Sequence, residues 1–509
     1  MYIASLVIIY LNYILLLNIF NRSSILSVLI KAIISTVFSI GISEFFNDIS
    51  TIIVIILTFL FVVGYYYSET YGELSYGSVA SIVESNSSEI KEYFSLIEKK
   101  VIIKTIIISI LYMSSHFMIV SHSNVYLEFA GFIAFTLFLV SVFSMIYIYN
   151  NDDDKSGLPV KILKYNAIFN IFSHISEYYK YKRLTNKIKI KSSWTNVEST
   201  FPKKEVYIVV IGESACRDRF HVYGYEGLNT PKIEEMKGYK VISDAISPST
   251  QTMTSIPRIF SINNLEDGVD FNLNIVDLAN DAGFDTYWIS NQGELGVADT
   301  AVTMIANRAK YSKFLQSEYS SAGSDFDLIS EVEEIVKNKN ESPKLIFLHT
   351  MGSHWNFCER SDLGRYKLDN IESESDCYDN TIFNTYMLLE DIREILNNNA
   401  VSYKMTYFSD HGLEKIDSFP YLTHGVGKLF SYSAAEIPLF FIDDDETPGE
   451  IINETYYLRD FVHTLSDWLN INADEVNNNM SLFNLERNKQ EEYILNDSLK
   501  VINRGDLNE

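Results

Sequence analysis

The chain is poor in cysteine: only Cys216, Cys358 and Cys377 occur among its 509 residues. Three thiols cannot hold a chain of this length together through disulfides, and they cannot supply the four thiolates of a cysteine-rich zinc site. Both classes are therefore excluded. The sequence does not decide whether Cys358 and Cys377 pair in an oxidising compartment, because pairing depends on how closely the two residues approach in the fold.

Basic residues are also scarce, with 41 Lys and Arg against 66 Asp and Glu and a formal net charge of −25. This charge repels polyanions and argues against nucleic acid as a partner. Nine basic side chains nevertheless cluster between Lys155 and Lys191, among aromatic and aliphatic residues. The mixture suits an amphipathic helix in a membrane headgroup layer, and it suits a solvated connecting helix equally well. We predict that residues 151–204 form a linker at the membrane surface.

Internal repeats and a glycine-rich phosphate-binding loop are absent from the sequence. A length of 509 residues exceeds what one hydrophobic core usually organises, which predicts two or more structural units. The mean hydropathy of +0.02 hides two unlike halves, because almost all long apolar runs precede residue 150.

Five apolar runs each have roughly the 17–25 residues needed to cross a hydrocarbon core of ~30 Å. They are residues 2–20, 25–43, 51–67, 101–120 and 127–149, and they predict a multi-pass α-helical transmembrane domain over residues 1–150. The first run lacks the features of a cleavable signal peptide and is expected to remain as an anchor. Lys31, Lys104 and His116 are expected to snorkel or to face neighbouring helices. The distribution of basic residues leaves the orientation of the five spans open.

Strands and helices alternate from about residue 205. This alternation predicts an α/β domain over residues 205–509, with a mainly parallel sheet and helices on both faces. The predicted strands are Val206–Ile211, Tyr239–Ser243, Thr286–Ser290, Lys344–His349, Tyr403–Phe408 and Ile437–Ile442. The predicted helices are Ile275–Ala282, Phe326–Lys337 and Asn380–Leu396.

Metal-binding residue types follow three of the predicted strands, where sites in such sheets form. These residues are Glu213 after the first strand, His354 after the fourth, and Asp410, His411 and, shortly beyond, His424 after the fifth. Each of them alone would be an ordinary surface or core residue. Together they offer carboxylate oxygen and imidazole nitrogen, the ligands of a catalytic rather than a structural zinc site. The pattern predicts a zinc centre at this edge of the sheet.

Hydroxyl side chains crowd the segment SPSTQTMTSIPRIFS, residues 247–261. Such residues commonly cap helices, and Pro257 is expected only near the first turn of a helix. A threonine at a helix N-terminus beside zinc would be a suitable nucleophile toward phosphate, because the helix dipole and the metal both stabilise its alkoxide. Spacing alone does not choose among Thr250, Thr252 and Thr254.

Seven motifs occur in a specific order along the chain. They are VVIGESACRDRFHVYGYEGLNTP, SPSTQTMTSIPRIFS, WISNQG, FLHTMGSH, CYDNTIFNTY, FSDHG and LTHG. In this order they resemble the membrane phosphoethanolamine transferases of Gram-negative bacteria, members of the alkaline phosphatase/sulfatase superfamily. Residues 71–94 also resemble the external loop between the third and fourth spans of that family. The resemblance covers nearly the whole chain and implies an alkaline phosphatase/sulfatase-like fold for residues 205–509.

The resemblance also assigns roles by position. Four residues match the family's zinc ligands: Glu213, Thr252, Asp410 and His411. Three more are assigned to the substrate: Asn291, His354 and His424. Of these, the two histidines match residues that serve the phosphoryl group, the donor headgroup or a second zinc ion. One zinc ion, or two, is therefore implied.

The family's reaction transfers phosphoethanolamine in two steps. Thr252 would attack phosphatidylethanolamine and release diacylglycerol, and a hydroxyl of lipopolysaccharide or another glycan would then take the group from Thr252. His354 or His424 would transfer protons in these steps. The resemblance places the protein in the inner membrane, with its catalytic domain in the periplasm.

Two positions depart from part of the family. Members that modify lipid A carry a cysteine pair flanking the nucleophile segment, where this chain has Pro248 and Arg258. The departure favours the members that modify the heptose of the core oligosaccharide, or another glycan.

Three other functions are alternatives to this one. A sulfatase is disfavoured, because Ile259 stands where the sulfatase core motif requires arginine. A phosphoglycerol transferase that uses phosphatidylglycerol would share the fold, the metal and the nucleophile, and stays open. A non-catalytic, membrane-anchored binding or sensing protein also stays open, and zinc analysis would separate it from an enzyme.

Overall fold

The computed structural model divides the chain into two compact units, a helical N-terminal unit and an α/β C-terminal unit. In the helical unit the structure describes residues 2–19, 25–45, 49–70 and 99–120 and the single positions 79, 132, 136 and 179. In the α/β unit it describes residues 191–200, 204–266, 268–293, 301–316, 323–339, 341–415, 422–423, 430–497 and 499–504.

Four helices of the first unit coincide with the first four predicted spans. They are α1 (Tyr2–Ile19), α2 (Ile25–Phe45), α3 (Ser50–Thr70) and α4 (Lys99–Val120). Among the described residues, one stretch, Lys100–Ile119, is both long and apolar enough to cross a membrane, and shorter apolar stretches are Ile3–Leu16, Val28–Gly41 and Ser50–Tyr66. The fifth predicted span lies outside the described residues, apart from positions 132 and 136. Five spans therefore stay a prediction, as does the linker.

Polar side chains are buried between these helices. Asn12 of α1 donates a hydrogen bond of 2.9 Å to Thr36 of α2. His116 of α4 is fully buried, and its Nε2 lies 3.3 Å from the hydroxyl of Ser39. Such hydrogen bonds satisfy polar groups inside an apolar bundle. His116 thus faces a neighbouring helix, as expected from the sequence.

The α/β unit contains many short elements. Its strands are β1 (Glu198–Ser199), β2 (Val206–Gly212), β3 (Tyr239–Ile246), β4 (Ser261–Asn264), β5 (Gly268–Asn274), β6 (Asp285–Gly293), β7 (Tyr311–Gln316), β8 (Lys344–His349), β9 (Tyr403–Ser409), β10 (Glu414–Lys415), β11 (Leu422–Thr423), β12 (Glu436–Ile437), β13 (Leu439–Asp443), β14 (Glu450–Tyr457), β15 (Ile471–Asn472), β16 (Tyr493–Leu495) and β17 (Val501–Asn503). Its α-helices are α5 (Thr252–Phe260), α6 (Ile275–Asp281), α7 (Ala301–Ala306), α8 (Leu328–Lys337), α9 (Phe357–Leu363), α10 (Glu374–Asn398) and α11 (Phe461–Trp468).

The central sheet has the strand order β12-β3-β13-β9-β2-β8-β6-β7, and β14 pairs with β3. The strands from β9 to β7 in this order run parallel, as predicted, whereas β13 is antiparallel to both of its neighbours. The sheet is therefore mixed. The single strand predicted over Ile437–Ile442 is divided at Pro438, which has no N–H to donate to a strand ladder.

Both faces of β2 are buried. Tyr207, Val209 and Ile211 pack into one hydrophobic core with side chains of α5, α6, α7 and α11. The residues between them point to the opposite core, which α8 and α10 cover. This arrangement confirms helices on both faces, and it explains why the strand reads as a continuous apolar run.

Helix α10 begins six residues before the predicted start at Asn380. Ser373 and Asp376 form a capping box, in which each side chain accepts a hydrogen bond from the other residue's backbone N–H. The box stabilises a polar first turn, which the apolar pattern did not reveal. A disulfide between Cys358 and Cys377 joins α9 to this helix, so the pairing that the sequence left open does form.

Candidate metal centre

Two neighbouring parallel strands end at the same level of the sheet. Gly212, the last residue of β2, pairs with Ser409, the last residue of β9. The residues that follow are Glu213 on one side and Asp410 and His411 on the other. The register of this pairing therefore brings three predicted metal ligands to one edge.

Glu213, Asp410 and His411 form a compact and buried cluster. One ligand atom from each residue lies within 4.8 Å of the others. Nε2 of His411 is 3.2 Å from Oε1 of Glu213 and 3.6 Å from Oδ2 of Asp410. None of the three is more than 1% exposed. The cluster concentrates two carboxylates and an imidazole where water does not screen their charges.

The local backbone holds these side chains in place. Ser214 adopts a positive φ of 58°, which turns the chain directly after Glu213. Oδ1 of Asp410 accepts hydrogen bonds from the backbone N–H groups of Ser214 and His411, at 3.2 and 2.8 Å. Nδ1 of His411 lies 2.7 Å from the carbonyl of Gly412, a contact that requires Nδ1 to carry a proton. Nε2 is thus the nitrogen that faces the carboxylates.

The charges of the cluster influence one another strongly. Burial by itself raises the pKa of Glu213, but the hydrogen bond and the charge of His411 outweigh it and lower that pKa. For Asp410, burial and the neighbouring Glu213 charge raise the pKa. Burial by itself would lower the pKa of His411, but Asp410 and Glu213 raise it. Strong mutual perturbation of buried groups is typical of functional sites.

Thr252 completes the cluster from the N-terminal residue of α5. Its hydroxyl donates a hydrogen bond of 3.1 Å to Oε2 of Glu213 and lies 3.4 Å from Nε2 of His411. Among the three candidate threonines, the hydroxyl of Thr252 thus contacts the cluster, while Thr254 is buried within the helix. Pro257 lies inside α5 rather than near its first turn, because the helix begins five residues before it.

The cluster fits a metal ion. Oδ2 of Asp410 is buried and has no hydrogen-bond partner among the described residues. A buried carboxylate oxygen that accepts no hydrogen bond is costly unless a cation binds it. Two carboxylates, one imidazole and one hydroxyl supply oxygen and nitrogen donors in the number that a tetrahedral zinc ion uses.

His354 lies in the turn that follows β8. Its side chain is buried, and its Nδ1 is 2.7 Å from the carbonyl of Trp355. Its charge contributes to the lowered pKa of Glu213, although His354 is not part of the metal-binding cluster. His424, the other predicted histidine, lies outside the described residues.

Asn291 and Gln292, at the end of β6, have different neighbours. The amide nitrogen of Asn291 donates to the carbonyl of Gly323 and to Asp325, at 3.1 and 2.7 Å. It is Gln292 that reaches the cluster, where its amide donates to Oε2 of Glu213 at 3.2 Å. A substrate role for Asn291 stays a prediction.

Sequence reasoning missed Gln292 and Ser214, whose hydroxyl donates a 2.7 Å hydrogen bond to Oε1 of Glu213. Both were within reach of a sequence-based argument. Ser214 directly follows a candidate ligand, and Gln292 lies where polar residues follow a predicted strand.

The chain is similar in sequence to known proteins. The family model described as Sulfatase matches residues 205–471. Phosphoethanolamine transferase OpgE of Escherichia coli is 34% identical over 329 residues, which cover 63% of this chain and 60% of OpgE. A putative phosphoethanolamine transferase of Haemophilus influenzae is 27% identical over 356 residues, 67% of this chain and 70% of that protein. The match to OpgE thus spans less than two thirds of that relative.

Solved structures show the same fold. The C-terminal periplasmic domain of EptC from Escherichia coli, crystallised in complex with Zn, has a TM-score of 0.53 at 21% identity and covers 62% of this chain and 96% of its own. Lipooligosaccharide phosphoethanolamine transferase A from Neisseria meningitidis, an integral membrane protein, has a TM-score of 0.59 at 16% identity and covers 92% of this chain and 94% of its own. Because the matching family model spans more than half of the 509 residues and includes the whole cluster, the chain belongs to the sulfatase family.

Proposed function

We propose that this protein is a zinc-dependent phosphoethanolamine transferase, which moves the group from phosphatidylethanolamine to a hydroxyl of lipopolysaccharide or another glycan. One observation carries the proposal. The Thr252 hydroxyl, at the N-terminus of α5, contacts both Glu213 and His411 within a buried cluster of candidate zinc ligands. The relatives named phosphoethanolamine transferase and the Zn complex of the EptC domain support the reaction and the metal.

Four side chains would hold the ion: Glu213, Thr252, Asp410 and His411. When bound, zinc lowers the pKa of the threonine hydroxyl and neutralises charge on the phosphoryl oxygens. A second ion, if present, would use His354 and His424.

Thr252 supplies the nucleophile. The Thr252 hydroxyl donates a hydrogen bond to the Glu213 carboxylate. The lone pairs of the Thr252 oxygen therefore point away from that carboxylate. Attack on phosphorus releases the hydroxyl proton of Thr252, forms a Thr252 Oγ–P bond and breaks the bond from phosphorus to the diacylglycerol oxygen, which takes up a proton. A glycan hydroxyl then attacks the same phosphorus, loses its proton and releases Thr252. His354, whose turn follows β8 and which influences the pKa of Glu213, or His424 would move these protons.

The location of the protein is proposed on similar grounds. The apolar helices favour an inner-membrane anchor, and the Cys358–Cys377 disulfide favours an oxidising compartment such as the periplasm for the α/β unit. Pro248 and Arg258, in place of a cysteine pair, favour core heptose or another glycan over lipid A as the acceptor.

The test is intact-protein mass spectrometry of the full chain after incubation with phosphatidylethanolamine and no acceptor. We expect wild type, but not Thr252→Ala, to gain the mass of one phosphoethanolamine group at residue 252. The matched control is Thr254→Ala, two positions further along α5, which should still form the adduct. An adduct from phosphatidylglycerol alone would move the protein to the phosphoglycerol transferases. A protein that forms no adduct and holds no zinc would instead be a binding or sensing protein.

A further inference from the structure

Asp325 accepts hydrogen bonds from the turn that follows β8. It opens a short 3-10 helix, Asp325–Asp327, that leads into α8. Oδ1 accepts a hydrogen bond from the backbone N–H of Met351, and Oδ2 accepts one from the N–H of Gly352, both at 2.8 Å. Hydrogen bonds to a charged carboxylate are about twice as strong as neutral ones, so two of them on consecutive residues hold the turn firmly.

That turn packs directly against Glu213. Gly352 has a φ of +48°, and a Cβ at this position would lie only 2.8 Å from the backbone nitrogen of Glu213 and 2.9 Å from its carbonyl oxygen. The N–H of Ser353 donates to the same carbonyl at 2.9 Å. The position of the turn therefore determines where the backbone of Glu213 lies.

A second route leads from Asp325 to the carboxylate of Glu213. Oδ1 of Asp325 accepts a 2.7 Å hydrogen bond from Asn291, which is fully buried. The next residue, Gln292, donates from one amide nitrogen to Oε2 of Glu213 and to the carbonyl of Thr350, at 3.2 and 2.9 Å. Gln292 thus joins the end of β6, the turn and the cluster.

We infer that Asp325 is a positioning residue, which holds the turn and the end of β6 so that Glu213 lies in the geometry for metal binding. The inference deepens the proposed function and rests on it, because it takes Glu213 to be a zinc ligand. It also gives Asn291 a positioning role in place of substrate binding. Residues that orient metal ligands through hydrogen bonds, without contacting the metal, commonly increase metal affinity about 10- to 100-fold.

The main experiment measures the zinc dissociation constant of the full-length protein in detergent by competition with a chelator. Asp325→Asn keeps the shape of the side chain but replaces one acceptor oxygen with an NH₂ group, which cannot accept a backbone N–H. We expect zinc to bind about tenfold more weakly. Asp327→Asn is the matched control, because Asp327 is an exposed carboxylate in the same 3-10 helix, and its affinity should equal that of wild type.

Two further variants keep the test decisive if Asp325→Asn fails to fold. Gln292→Met removes the hydrogen bond to Glu213 at nearly constant volume, and it should also weaken zinc binding about tenfold. Asn291→Ala should weaken zinc binding and lower kcat while leaving the KM for phosphatidylethanolamine unchanged. A raised KM with unchanged zinc affinity would return Asn291 to substrate binding and overturn the inference.

Different results would contradict the proposed function and the inference. Wild-type protein that cannot bind zinc would contradict both the proposed function and the inference. Wild-type protein that binds zinc, together with folded Asp325→Asn and Gln292→Met variants that bind it equally well, would sink the inference alone.

Discussion

The hydroxyl of Thr252 donates a 3.1 Å hydrogen bond to Oε2 of Glu213, although 39 positions separate the two residues in sequence. The bond joins the first residue of α5 to the residue that follows β2. A hydrogen bond between a helix start and a strand end therefore joins a candidate nucleophile to a candidate metal ligand, as expected of a preorganised site.

Removal of zinc is expected to abolish transfer and to lower the melting temperature. Glu213 and Asp410 are buried beside each other, and a bound cation offsets their repulsion. A ligand present at about 1,000 times its dissociation constant stabilises a protein by about 4 kcal/mol, or roughly 10 °C for a unit of this size. Differential scanning fluorimetry with and without a chelator measures the change, and added zinc should reverse it. A melting temperature insensitive to chelation would contradict the metal assignment.

Gly352→Ala is expected to disrupt the site as well as the fold. The new Cβ would lie 2.8 Å from the backbone nitrogen of Glu213, in addition to the strain of a positive φ. The strain alone costs about 1–2 kcal/mol. Gly283→Ala is the control, because Gly283 also has a positive φ, of +90°, but nothing lies within 4 Å of its Cβ position.

Both glycine variants should therefore melt at a lower temperature than wild type, as measured by thermal unfolding. Only Gly352→Ala should also lose zinc and transfer activity. Equal zinc content and equal activity in the two variants would show that the turn does not determine the position of Glu213.

Acidification is expected to destabilise the protein partly through His463. Burial lowers the pKa of this imidazole to about 4, and its Nδ1 accepts a 3.2 Å hydrogen bond from the N–H of Asn477. In the unfolded chain the imidazole binds a proton below about pH 6.5. The unfolded state therefore gains a proton that the folded state does not take up until about pH 4, so stability falls as the pH falls through this window.

Between pH 7 and pH 5 this difference amounts to about 2 kcal/mol of unfolding free energy. Thermal melts at the two pH values should show a larger loss for wild type than for His463→Gln, because glutamine does not titrate. If both proteins lose the same stability, His463 is not the cause.

The disulfide is expected to stabilise the α/β unit. Cys358 and Cys377 are 19 positions apart, and closing a loop of that length stabilises the fold by about 3 kcal/mol through the unfolded state. A double variant with serine at both positions should therefore melt at a temperature roughly 10 °C lower. Unchanged melting would show that the bridge is not formed or not needed.

Cys216 provides an internal control for thiol chemistry. It is a free and buried cysteine, and burial raises the pKa of its thiol to about 11. We expect a thiol-alkylating reagent to label no cysteine in the folded, unreduced protein, and to label Cys216 alone after denaturation without reductant. Labelling of the folded protein at Cys358 would contradict the disulfide.

The sequence predicted the α/β fold because its signals are local. The β-branched run Val206–Ile211 indicates a strand buried on both faces, and that strand lies at the centre of the sheet. The differences between these predicted and observed elements also have local causes. Capping by Ser373 extended α10, and Pro438 divided a predicted strand, because side-chain hydrogen bonds and a missing N–H override the apolar pattern.

By itself, the sequence determined which ligand types this protein offers and that they follow strand ends, since residue identity and the period of a strand are both local properties. Only the tertiary structure decided that Thr252 is the threonine at the cluster, that Cys358 meets Cys377, and that Gln292 rather than Asn291 reaches Glu213. The physical reason is that contacts between distant residues depend on strand register and side-chain direction. Long-range hydrogen bonds and packing set both of these, and neither is encoded in any single stretch of the chain.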